Sequence, residues 1–131
     1  MSNRLVAYTV LTAVASSAVL FGFGTKSVVH AQSKAPAYSV AEVEILNRDR
    51  FLKEVAPKIA ASVKEFGGQF IVRGGQTVSF EGNPPKAIFI IRWESMDQLK
   101  AWQASKDWQN LTPLRDQIEK ARAYGVEGLS S

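Results

Sequence analysis

Along this chain the apolar positions change period in a definite order. From Ala37 to Leu46 they alternate, with Ala41, Val43 and Ile45 on one side and Tyr38, Val40, Glu42 and Glu44 on the other, the period-two pattern of a strand. Phe51, Val55, Ile59, Val63 and Phe66 then recur at helical spacing. Lys53, Glu54, Lys58, Lys64 and Glu65 face away from them, and Asn47 stands where a helix cap is needed. Pro57 interrupts this run. An interior proline costs about 3 kcal/mol and disfavours helical geometry at Ala56, so a kink or two abutting helices is expected. Two glycine pairs, Gly67-Gly68 and Gly74-Gly75, bracket Gln69-Phe70-Ile71-Val72-Arg73, in which Phe70 and Val72 alternate with the other three. That is a short strand. The first pair is placed to stop the helix and the second to bend or bulge an extended chain.

Gln76 to Phe80 reads as a short extended arm, and Glu81 to Pro85 as a loop by composition. Ala87 to Trp93 is apolar on both faces and rich in β-formers, the mark of a central strand. Ser95 with Gln98 three residues on is a capping-box start for a short helix that turns Met96, Leu99 and Trp102 inward. Ser105 opens a further turn carrying Trp108 and Leu111. Thr112-Pro113 has the form of a cap and first position for a last helix bearing Leu114, Ile118 and Ala121, and Arg122 to Gly128 makes a last strand. The order predicts an α+β fold of ferredoxin-like βαββαβ layout, an antiparallel four-stranded sheet with helices on one face. The bare face then needs a lid, which argues for a homodimer.

The first residues change the compartment. Residues 1 to 31 hold Arg4 and Lys26 but no acid, Val6 to Phe23 is almost wholly apolar or small, and Val29-His30-Ala31 has small residues where a signal peptidase needs them. The expectation is a secretory signal peptide over 1–31, a linker over 32–36 and one domain over 37–128, delivered across the inner membrane to the periplasm. The alternative is an uncleaved anchor, the one case in which the membrane is a partner. Cleavage removes two of the 16 basic residues against 12 acidic ones, so the net charge falls from +4 to +2. The scattered cations form no basic stripe, and nucleic acid is not an expected partner. The only histidine, His30, leaves with the leader, and the chain has no cysteine. No metal site or cofactor is expected on such a domain, and acid–base work falls to carboxylates, tyrosine or lysine.

The glycine-bracketed strand Gly67 to Gly75, with Glu81-Gly82, Pro85, the strand ending Arg92-Trp93 and the stretch Trp102 to Trp108, resembles the domain-of-unknown-function family numbered 1330 over about Tyr38 to Gly128. The resemblance implies a dimeric α/β barrel, two ferredoxin-like units whose sheets face each other around a central cavity, and no established reaction. This chain carries Gln69 where such sequences often have a basic residue.

Arg73 is the leading candidate for chemistry. Strand alternation puts it on one side with Gln69 and Ile71, opposite Phe70 and Val72, facing the cavity or the dimer interface. There a guanidinium can clamp a carboxylate or enolate through paired hydrogen bonds, or form a salt bridge to Glu42 or Glu44. Glu42 is the candidate base and Tyr38 the candidate donor, both on the less apolar side of the first strand; solvated surface residues would look the same. Trp93, Trp102 and Trp108 can line a ligand or pack a core. The function expected is an exported homodimer binding a small organic acid or carbonyl compound near Arg73, Tyr38, Gln69 and Trp93. If it turns a substrate over, cofactor-independent isomerase, lyase or monooxygenase chemistry is the analogy. The alternative is a non-catalytic interaction or stress-related protein whose cavity is filled by its own side chains.

Overall fold

The computed structural model describes residues 34–131; the leader and the start of the linker lie outside the described residues. Strand β1 (Ala37–Ile45) leads through α1 (Arg48–Arg50), a π-helical turn (Phe51–Val55) and α2 (Ala56–Glu65) to β2 (Gln69–Arg73). After a 13-residue connection, β3 (Ala87–Trp93) is followed by α3 (Met96–Gln103), α4 (Lys106–Ile118) and β4 (Glu119–Glu127). The sheet is antiparallel in the order β2-β3-β1-β4. That order, with the helices on one face, is the expected ferredoxin-like α+β arrangement. The predicted arm, Gln76 to Phe80, is not extended structure: it is exposed irregular chain, and Phe80 is 94% exposed.

Three helix starts, those of α1, α3 and α4, are capped as expected. Asn47 Oδ1 accepts from the Arg50 amide (3.0 Å), Ser95 Oγ from the Gln98 amide (3.2 Å) and Ser105 Oγ from the Trp108 amide (3.3 Å). Pro57 stands at the expected junction of two abutting helical segments, the π-helical turn and α2. It sits in the first turn of α2, where its missing N–H costs nothing, and the turn before it widens to π geometry. The widened turn keeps Phe51 and Val55 both buried. Thr112-Pro113 does not start a helix. Ser105 has already capped α4, the helix runs through Pro113, and Thr112 Oγ1 donates to the Trp108 carbonyl one turn back (3.3 Å).

The core lies between the helices and one sheet face. Trp93, Trp102 and Trp108 stack in a row, with ring centroids 4.9 and 4.2 Å apart. Their buried N–H groups find hydroxyls: Trp93 donates to Ser39 Oγ and Trp102 to Ser62 Oγ, both at 3.1 Å. Ser62 sits mid-helix because its own hydroxyl donates back to the Ile59 carbonyl, leaving its lone pairs to Trp102. Gly67 takes a positive φ of 76° to end α2. Gly68 is required by proximity: a Cβ there would lie 2.7 Å from the Trp93 ring and 2.9 Å from Val63.

Candidate functional site

A cleft of about 610 Å³ opens between the helices and the covered face of the sheet. It exists because its floor is built of small residues. Ala41 on β1, Ala87 on β3 and Ala123 on β4 lie on the covered face, and all three line the cleft. Larger side chains also line it, Phe70 and Phe89 from the same sheet face and Trp102 and Trp108 from the helices. Apolar walls of this kind hold a flat organic body, and a few polar groups then fix its orientation.

The polar groups are mostly cationic. Arg48, Arg73, Lys86 and Arg115 line the cleft, against a single acid, Glu119. Arg115 Nε donates to Glu119 Oε1 at 2.6 Å, and its guanidinium also lies 4.3 Å over the Trp108 ring. Arg48, Arg73 and Lys86 have no carboxylate partner among the described residues. All three stand at one end of the sheet: Arg73 ends β2, Lys86 precedes β3, and Arg48 follows β1. The cleft therefore has an excess of positive charge held beside apolar rings, complementary to an organic anion.

Arg73 reaches this cleft by a route that strand alternation does not give. The ladder pairs Phe70 with Ile91, then Val72 with Ile90 and Arg73 with Phe89, so Ile71 is an extra residue bulged out of β2. The bulge shifts everything after it to the opposite face. Val72 goes to the open face, while Arg73 comes to the covered face with Phe70, its guanidinium 4.2 Å from that ring. The expectation that Arg73 shares a side with Gln69 is thus corrected.

The remaining candidates are dispersed. Gln69 pairs in register with Arg92, and Arg92 with Tyr38, placing all three on the open face at the other end of the sheet. Tyr38 lies in a separate surface depression with Lys34, Arg92 and Glu94. Glu42 is also on the open face, where it accepts from Arg122 Nη2 at 2.7 and 2.9 Å and from its Nε at 3.2 Å. The hydrogen bonds that Arg122 donates to Glu42 hold its guanidinium above its usual range. The salt bridge anticipated between Arg73 and Glu42 or Glu44 is not formed; Glu42 belongs to Arg122. Trp93 is in the core behind the cleft, and it is Trp102 and Trp108 that reach the cleft wall. Sequence reasoning missed Arg115 and Glu119. The signal was available, since an Arg and a Glu four apart at a helix end are an ion-pair spacing, but nothing in the pattern marks the acid as buried.

The model of a family described as "Domain of unknown function (DUF1330)" matches residues 36–129. No curated protein matches the chain. Among solved structures, a protein of unknown function from Rhodopseudomonas palustris is similar at 14% identity with a TM-score of 0.56, over 75% of this chain and 85% of that one. SnoaB, a cofactor-independent oxygenase from Streptomyces nogalater, is similar at 11% identity with a TM-score of 0.50, over 74% of this chain and 96% of the other. At such identities the likeness is one of fold, the ferredoxin-like unit of dimeric α/β barrels.

Proposed function

The chain belongs to the DUF1330 family, and on that premise we propose that it is an exported, homodimeric domain that binds a small organic acid in the cleft beside Arg73. The observation that carries this reading is the set of three cations, Arg48, Arg73 and Lys86, that border an aromatic-walled cleft without a carboxylate to neutralise them. Paired N–H donors on Arg73 suit a carboxylate or enolate, and the Trp102 and Trp108 rings suit the body attached to it. An open cleft of this size favours ligand binding over the reading in which the interior is filled by its own side chains.

Turnover without a cofactor, as in the oxygenase of similar fold, is the analogous chemistry should the bound acid react. Dimerisation rests on the bare sheet face. There Val72, Ile90, Val40 and Tyr124 lie abreast across the four strands, with Ile71, Tyr124 and Val126 each about half exposed. A second copy presenting the same face would cover them, the self-complementary arrangement of a two-fold dimer. Export rests on the leader pattern of residues 1–31.

Native mass spectrometry of the protein purified gently from its own cell envelope tests these points together. The expected species is a dimer of chains beginning at Gln32 with added mass that leaves on denaturation. A monomer would overturn the dimer, a chain beginning at Met1 the cleavage, and an adduct-free protein that takes up no added aromatic acid the binding function.

A further inference from the structure

The cleft holds one feature that capture of an acid does not use. Glu119 is the first residue of β4, and its side chain is 3% exposed in a strand whose other residues are all exposed. A buried ion pair is seldom worth more to stability than apolar side chains of the same volume, so its stabilising value does not account for it. Arg115 holds the carboxylate in place through Oε1, and is itself fixed by the Trp108 ring. The second oxygen, Oε2, makes no hydrogen bond. Among the described residues every sealed side-chain nitrogen or oxygen has a partner, so Oε2 is not sealed, and Glu119 is a lining residue of the cleft. A fixed anionic acceptor thus opens into a cleft otherwise bordered by cations.

Its position relative to Arg73 sets the shape of what it can meet. Arg73 is on β2 and Glu119 on β4, the two edge strands of the sheet. Three strand spacings separate these edges, and Arg73 is level with Ala41 of β1 where Glu119 is level with Ile45, four residues along, so the two backbones lie about 20 Å apart. Both side chains reach into the same cleft, leaving between them the width of a flat body of one or two rings. Ala41, Ala87 and Ala123 keep the floor beneath that span low.

We infer that Glu119 is a specificity-determining residue that accepts a hydrogen bond from a hydroxyl at the end of the ligand opposite its carboxylate, so that the cleft selects hydroxylated aromatic acids. This inference rests on the acid-binding reading of the same cleft. A site that presents a buried acceptor to a ligand hydroxyl discriminates against the analogue lacking it, because the acceptor loses its water and gains nothing in return.

The test is calorimetric titration of the protein with matched pairs of acids, benzoate against 4-hydroxybenzoate and 2-naphthoate against 6-hydroxy-2-naphthoate. The hydroxy acid of at least one pair is expected to bind about tenfold to a hundredfold more tightly. Glu119→Gln leaves an acceptor but disturbs Arg115, so the deciding variant is Arg115→Met/Glu119→Leu, which replaces the ion pair by apolar side chains. In it the plain acid should still bind and the preference for the hydroxy acid should vanish. Equal binding of both acids by the unmodified protein, through Arg73, would overturn this inference and leave the acid-binding function standing. Retention of the preference in the double variant would remove Glu119 from the role, and failure of every acid to bind would overturn both readings.

Discussion

The two faces of the sheet treat charge in opposite ways. On the open face the buried need is apolar: Val72, Ile90, Val40 and Tyr124 lie in a row without cover, and beside them Glu42 is paired with Arg122. On the covered face the apolar surface is already packed, with Trp93 and Trp102 almost wholly buried, and it is the charges of Arg48, Arg73 and Lys86 that lack partners. A row of uncovered apolar side chains calls for another protein surface, whereas a cleft bordered by several unpaired cations calls for a small ion. On the proposed function, one four-stranded sheet would serve two different kinds of recognition, back to back.

The comparison can be broken most severely from the packed side. Trp102→Ala removes the middle ring of the stack and the donor to Ser62, and should cost about 3–5 kcal/mol of stability by urea denaturation. A loss below about 1 kcal/mol would mean that the stack is not the core. Next in size is Ile90→Lys, which puts a charge in the middle of the open row. Sedimentation should show the dimer weakened by at least a hundredfold with helix content unchanged; an intact dimer would show that copies meet elsewhere.

Arg73→Ala acts on the other side alone. It should weaken binding of an aromatic acid such as 2-naphthoate by about 1.5–3 kcal/mol, the range for hydrogen bonds to charged groups, while moving the unfolding free energy by no more than about 0.5 kcal/mol. Unchanged affinity would take Arg73 out of the site. The smallest effect is expected from Glu42→Gln, since its partner Arg122 is exposed to solvent: ligand titration should be indistinguishable from the unmodified protein, and thermal unfolding nearly so. A lost ligand in that variant would erase the distinction between the faces.

Where the side-chain period was uninterrupted, the sequence could be read directly. β1, β3 and the caps at Asn47, Ser95 and Ser105 were legible because each depends on a few neighbouring residues. Pro113 misled, since it lies two turns inside a helix already capped upstream by Ser105, a position proline ordinarily disfavours. The start of β4 was hidden for a related reason: Glu119 looks like surface, and only the Arg115 guanidinium, placed by the fold, lets it be interior. The site was less legible than the fold. Arg73 was found, but its face was mistaken, because a bulge is a property of two strands in register and cannot be seen in one. Tyr38, Gln69 and Glu42 were grouped with it on that mistaken face, and the structure separates them from it.

The extra residue at Ile71 works as a parity bit in the strand. Bulged out, it leaves the last position of β2 to be read by the cleft; paired into the ladder, it would turn the same arginine to whatever lies against the open sheet. Removing the bulge by pairing Ile71, with no change in composition, would therefore transfer a positive charge from the cleft to the open face, whereas deleting Ile71 would leave Arg73 opposite Phe89. A relative with the same letters between its glycine pairs but no bulge would turn its arginine to the other face, so register in this strand is as informative as identity.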